Sequence, residues 1–254
     1  MMTAVRPLLL AIDTATPCAA LALTAGTADD GEVRGCLNMA GGKTHSRRLL
    51  LLIDVLMRES GTTWQDVDGI AVGLGPGSFT GLRIGMATAK GLATAAGRPL
   101  YGVSTLDVLA AQCAGASLVC SMIDARKKEV YATLYRRDAQ GRQVPCMGPL
   151  VLPPVALASM LLNALAPAES VLLVGSGARL YGAELLPLLG GKGRVAPAFL
   201  HEPSAAVLGL VAGEKAVCGE TLDPIEGMPL YVRGSDAELN LARKLAQQKG
   251  EGGR

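Results

Sequence analysis

Two short patterns occur twice along the chain, in the same order and at similar offsets. Ile12-Asp13 and Ile123-Asp124 each end an apolar run, 111 residues apart. Val72-Gly73-Leu74-Gly75 and Val174-Gly175-Ser176-Gly177 each end one ahead of a helical stretch, 102 residues apart. Repetition in register points to a duplicated unit, which restricts the fold far more than composition does. Residues 8–12, 19–23 and 32–39 have strand character, followed by a helix that Thr44 or Ser46 can cap and that Gly61 ends. A strand at 70–74, a helix to about residue 96 and a strand at 99–103 complete the first unit. Strands at 118–123, 130–135 and 171–174 and helices near 155–165, after 175 and at 205–217 make the second. The expected fold is α/β, a βββαβα unit repeated with the second copy reduced. The expected domains are 1–105 and 106–235, with a late helix placed to pack back on the first domain and a tail at 236–254.

Composition limits what such a chain does. Its 254 residues suit two domains at roughly 150 residues each. Half of them are hydrophobic, and 24 basic against 22 acidic residues leave +2, which excludes a disordered chain and a polycationic nucleic-acid binder. At 3%, aromatic residues are too few for a base-stacking platform. The six cysteines form no C-x-x-C pair, so buried thiols in a reducing cytosol are expected. Asp13 interrupts the apolar start, so no secretory leader is expected. The longest apolar run, 49–53, is far short of the ~18–20 residues of a membrane span, so the expected location is cytoplasmic.

Three features could carry function. Asp13, on a turn with Thr14 and Thr16, and Asp124, at the matching place, would face each other as in the nucleotide cleft of actin-like ATPases and sugar kinases; each is equally an Asx turn. The segment Gly75-Pro76-Gly77-Ser78-Phe79-Thr80-Gly81-Leu82-Arg83-Ile84-Gly85 places Ser78 or Thr80 at a helix start, as a structural cap or an anion site. It is neither a P-loop nor a G-x-S-x-G elbow. Arg83 in the first helical turn opposes the helix dipole, as it would if it met a carboxylate or phosphate. The helix that follows presents Gly81, Gly85, Ala89 and Ala93 four apart, a smooth face for close packing inside the domain or against another chain. In the preceding helix Leu49, Leu50, Leu52, Ile53, Leu56 and Met57 make a core stripe, and Leu51 with Val55 adds an apolar strip that a single core does not need.

Other chemistry finds little purchase. His45 and His201 are far apart, and no spacing for zinc or iron ligands exists, which leaves a metallopeptidase without ligands. Nothing singles out a serine triad. Arg126-Lys127-Lys128 is a small basic run at a hairpin turn, a pattern usual for a solvated loop.

Ala11-Ile12-Asp13-Thr14-Ala15-Thr16, Thr44-His45-Ser46, the 75–85 segment, Gly102-Val103-Ser104-Thr105-Leu106, Ile123-Asp124-Ala125-Arg126 with Glu129-Val130-Tyr131, and Pro229-Leu230-Tyr231-Val232-Arg233 follow in that order. Together, over residues 8–238, they resemble the TsaB (YeaZ) family of tRNA threonylcarbamoyladenosine biosynthesis proteins, within the TsaD/Kae-like actin-Hsp70 superfamily. The resemblance implies two tandem actin/Hsp70-like (ribonuclease H-like) domains. It implies pairing with a TsaD-like catalytic paralogue and a TsaE-like ATPase, a homodimer when the chain is alone, and tRNA contact through the complex. The complex moves a threonylcarbamoyl group onto the adenosine beside the anticodon of tRNAs that read codons beginning with A. In that family the catalytic subunit carries the metal-binding histidine pair, which this sequence lacks, so the resemblance implies a non-catalytic scaffold with no metal. It places the partner or dimer interface on Leu49, Leu52, Ile53, Leu56, Gly81, Gly85, Met86 and Ala89. It makes Asp13, Thr14, Asp124, Gly175 and Gly177 a vestigial nucleotide cleft with no resident cofactor, ATP binding being in question. A phosphotransferase of the sugar-kinase type is the alternative, favoured by the paired Ile-Asp strand ends. Substrate-dependent ATP turnover by the isolated chain would select it.

Overall fold

A computed structural model of the chain describes residues 6–40, 45–230 and 232. Thr44, the side chain of Ser46, Tyr231, Arg233 and the tail at 236–254 lie outside the described residues. Two five-stranded sheets carry the fold. The first contains β1 (Leu8–Asp13), β2 (Cys18–Ala25), β3 (Glu32–Ala40), β4 (Gly69–Gly73) and β5 (Leu100–Val103) in the order β3-β2-β1-β4-β5. The second contains β6 (Leu118–Asp124), β7 (Val130–Arg137), β8 (Gln143–Leu152), β9 (Val171–Val174) and β10 (Gly193–Val195) in the order β10-β9-β6-β7-β8. Read from β3 in the first sheet and from β8 in the second, each has two antiparallel pairings followed by two parallel ones. The same strand order in both halves, read outward from β3 and from β8, is the duplicated α/β plan that the repeated sequence patterns lead one to expect. The second sheet keeps all five strands; its reduction lies in the short β9 and β10.

Helices explain why β1 and β4 are buried along their whole length: both faces of the first sheet are covered. On one face, α1 (His45–Glu59) and α2 (Phe79–Ala96) pack Leu49, Ile53, Leu56, Met86 and Ala89 against Leu10, Ile12, Leu21, Leu23, Ile70 and Val72. On the other, α6 (Ala205–Cys218) lays Ala205, Leu208 and Ala212 against Leu9, Ala11, Ala20, Ala22 and Ala71. The second sheet is covered by α4 (Pro154–Ala164) and α5 (Ser176–Leu188) on one face. Its other face receives α3 (Thr105–Ala111), which follows β5 of the first sheet yet packs Leu106, Leu109 and Ala110 onto Val119, Ile123 and Tyr135. The Tyr135 hydroxyl donates to Asp107 Oδ1 at 2.6 Å and ties α3 to β7. After α6 the chain returns along the open edge of β5, where Leu222 N donates to Leu100 O at 2.7 Å.

Cysteine placement departs from the expectation of burial. Cys113 and Cys120 are buried, but Cys36, Cys146 and Cys218 are exposed, and all six are free thiols. Cys36 and Cys146 stand on β3 and β8, the outer strands of their sheets, where one side of the ladder is open. Among the described residues no helix is long and apolar enough to cross a membrane.

Candidate functional site

Helices α1 and α2 lie side by side on one face of the first sheet, and their outer surfaces are unusually apolar. On α1 the core stripe is Leu49, Ile53, Leu56 and Met57, which leaves Leu50 and Leu51 57% and 61% exposed. Leu50 was expected in the core stripe; the helix is rotated so that Asp54, Arg58 and these two leucines face outward. On α2 a groove of about 470 Å³ follows the outer face, lined by Phe79, Thr80, Arg83, Ile84, Ala87 and Thr88. Arg83 stacks on the Phe79 ring, 3.9 Å from its centroid, in a cation–π contact. Of the eight residues assigned to an interface from sequence, Leu49, Ile53, Leu56, Gly81, Gly85, Met86 and Ala89 are buried in the chain's own fold. Leu52 alone is partly exposed. The buried seven hold the surface from beneath.

The small face of α2 turns inward for a definite reason. Ser78 caps the helix, its hydroxyl accepting from Gly81 N at 3.3 Å. The first turn then presses onto the 13–16 turn at the end of β1. Thr14 Oγ1 donates to Gly81 O at 2.8 Å, and Ser78 N donates to Ala15 O at 2.7 Å. A Cβ on Gly81 would overlap the Thr14 carbonyl oxygen, and one on Gly85 would overlap Thr14 Oγ1. The glycines of this segment are therefore required by chain-to-chain approach within the fold.

Asp13 sits at the bottom of this arrangement, almost fully buried. Its Oδ1 accepts from Ala15 N at 2.7 Å, an Asx turn, while Oδ2 has no hydrogen-bond partner among the described residues. Burial pushes its carboxyl up from 3.8 to about 6, against the pull of the Ala15 amide and with some help from the Glu202 charge. Asp124, the matching residue, is more open. Its Oδ1 accepts from Arg126 N at 2.9 Å and its Oδ2 lies 3.3 Å from the Arg126 guanidinium.

The second-half turn at Gly175 and Gly177 is held by His201 and Gln112, to which sequence reasoning gave no role. Gly175, at φ 101°, donates its N–H to His201 Nδ1 at 3.1 Å. That bond requires a neutral ring, and burial followed by the Arg179 charge holds His201 below the usual imidazole range. Gly177 is buried against Met122 at the start of α5. Gln112 pins the following loop, its amide donating to Leu200 O at 3.2 Å and Glu202 O at 3.1 Å while accepting from Ser204 N at 2.7 Å. Glu202 pairs with Arg179 at 3.5 Å. Only the rarity of histidine could have marked His201, and nothing local marks Gln112. Among the described residues no group of three or more His, Cys, Asp and Glu is placed to hold a metal ion.

Several known proteins are similar to this chain in sequence and shape. A family model described as TsaD, tRNA N6-adenosine threonylcarbamoyltransferase, matches residues 35–151. The tRNA threonylcarbamoyladenosine biosynthesis protein TsaB of Escherichia coli (strain K12) is 42% identical over 136 residues, 52% of this chain and 57% of that protein. The chain thus spans little more than half the length of that curated relative. TsaB of Bacillus subtilis (strain 168) is 32% identical over 199 residues, 77% of this chain and 82% of that protein. The structure of YeaZ from Pseudomonas aeruginosa superposes with a TM-score of 0.72 at 32% identity, covering 89% of this chain and 99% of that one. With four-fifths of a relative aligned at this identity and the same fold throughout, the chain belongs to the TsaB (YeaZ) family.

Proposed function

We propose that this chain is a non-catalytic scaffold and activating subunit in the formation of threonylcarbamoyladenosine beside the anticodon of tRNAs that read codons beginning with A. Its partners on this reading are a TsaD-like catalytic subunit and a TsaE-like ATPase, with a homodimer formed through the same surface when the chain is alone. The observation that carries the reading is the outer face of α1 and α2, where Leu50, Leu51 and the Phe79–Arg83 stack stand in solvent. Burying what remains exposed of these two leucines contributes on the order of 2–3 kcal/mol, enough for the centre of a protein interface. The 13–16 and 124–126 turns support the reading from the other side. Apart from Asp13 Oδ2, several of their polar groups are engaged within the chain: Thr14 with Gly81, Ala15 with Asp13 and Ser78, Asp124 with Arg126. A phosphate arriving there would have to displace those bonds, so these turns are read as a vestigial nucleotide cleft.

The test is threonylcarbamoyl transfer to tRNA by the catalytic paralogue and the ATPase, with and without this chain. Transfer that depends on the chain is the expected result. Equal transfer in its absence would remove the scaffold role.

A further inference from the structure

The hairpin joining β6 and β7 turns through residues 125–129, and its apex is unlike any other turn among the described residues. Arg126, Lys127 and Lys128 have φ values of 62°, 55° and 61°, three consecutive left-handed residues with side chains. Among the described residues they are the only non-glycine residues with positive φ; every other such position is glycine. A left-handed backbone costs a residue with a Cβ ~1–2 kcal/mol, which glycine avoids. Here the sequence accepts that cost three times running, each time with a cation. Strain retained where a strain-free residue was open to selection points to a need for the side chains themselves.

The turn is also closed by hydrogen bonds. Ala125 N donates to Glu129 O at 2.9 Å and Glu129 N to Arg126 O at 3.0 Å. Below it, Arg126 N is held by Asp124 Oδ1 at 2.9 Å, and Asp124 N donates to Ser176 Oγ at 3.2 Å. Arg126, Lys127 and Lys128 are exposed. Asp124 pairs with Arg126, and Glu129 lies in the same hairpin. A fixed backbone presents these cations without the ordering entropy that a flexible basic loop would lose on binding. Lysine on such a platform suits a compact, strongly hydrated anion such as phosphate.

We infer that this turn is a preorganised contact for the phosphate backbone of an RNA. The choice of RNA over another polyanion rests on the proposed function; the cationic contact rests on the turn. With a net charge of only +2 over the whole chain, the attraction is local and binding by the isolated protein is weak.

The test is fluorescence anisotropy of a labelled unmodified tRNA with the full chain across a salt series, beside the double variants K127Q/K128Q and K127G/K128G. Wild-type binding is expected to be salt-dependent, and both doubles to lose about two from the slope of log K against log salt. The glycine double also removes two strained residues, so its Tm should equal or exceed that of wild type, which separates lost contact from lost fold. Unchanged slopes in both doubles would overturn the inference. So would the absence of wild-type binding at about 10⁻⁴ M protein in low salt. Equal competition by a poly-glutamate peptide would assign the turn to an acidic protein segment and overturn the RNA reading. Threonylcarbamoyl transfer measured in parallel keeps the two proposals apart. Dependence on the chain with unaltered RNA binding by the doubles refutes the turn alone, whereas lost RNA binding with chain-independent transfer refutes the scaffold role alone.

Discussion

Asp13 carries a charge in a place that does not favour one. The folded chain binds its proton more tightly than the unfolded chain does, because burial raises its carboxyl from 3.8 to about 6. The resulting penalty is absent below pH 3.8, grows between there and pH 6, and is complete above it. A shift of this size amounts to about 3 kcal/mol at neutral pH. Asp13→Asn keeps an oxygen for the Ala15 amide and removes the charge. Chemical denaturation at pH 8 should therefore show the variant more stable by on the order of 2–3 kcal/mol, with the gain shrinking to near zero at pH 4. A variant equally stable or less stable at pH 8 would mean that the ionised carboxylate is supported in a way the burial argument omits. Sequence alone placed Asp13 on the right turn but left its role open between an Asx turn and a nucleotide cleft. The packing of that turn rests on the approach of Gly81 to Thr14 across 67 residues of chain, and no local pattern encodes that.

Periodicity located α1 and α2 within a residue or two, yet it could not say how each helix is rotated. A run of Leu49 to Ile53 fits a core stripe at several angles, and only contact with β2 and β3 selects Leu49 and Ile53 over Leu50 and Leu51. Short and punctuated elements were harder still. The strand β8 contains Pro145, Gly148 and Pro149, residues that read as turn signals, and it survives because it is an edge strand with one free side. The seven-residue α3 left no full periodic pattern of its own. The rotation of α1 makes two kinds of substitution separable. Ile53→Ala empties a core site that is 1% exposed and should lower stability by about 2–5 kcal/mol. Leu50→Asp with Leu51→Asp should move stability by less than about 1 kcal/mol. The same pair should weaken self-association and stimulation of threonylcarbamoyl transfer, read by sedimentation and by the transfer assay. A charged pair that folds normally and still stimulates transfer would take the interface away from α1.

At the scale of the whole molecule, each half is completed by a helix that the other half's neighbourhood supplies. The first sheet is covered by α6, which arrives only after the second sheet is finished, and the second sheet is covered by α3, which leaves directly from β5. These two helices also touch each other between the sheets. Duplication in the sequence suggested two units in series, with a late helix placed to pack back on the first. The exchange of helices makes the core of the first sheet depend on residues from 205 onward. Removing α6 would bare Leu9, Ala11, Ala20, Ala22 and Tyr101 to water, an apolar surface no small sheet sustains alone. Unfolding is therefore expected to be a single calorimetric transition rather than two. Gly213→Ala probes the link from the far end of the chain, since a Cβ there would overlap the backbone carbonyl of Gly26, which cannot rotate aside. Overpacking of that kind costs about 1–3 kcal/mol, or roughly 2–12 °C in Tm for a chain of this size. If the halves are coupled, the whole transition moves down together and stays single. Two resolved transitions, with only the earlier one displaced by the substitution, would show instead that α6 stabilises the first sheet without binding the fate of one half to the other.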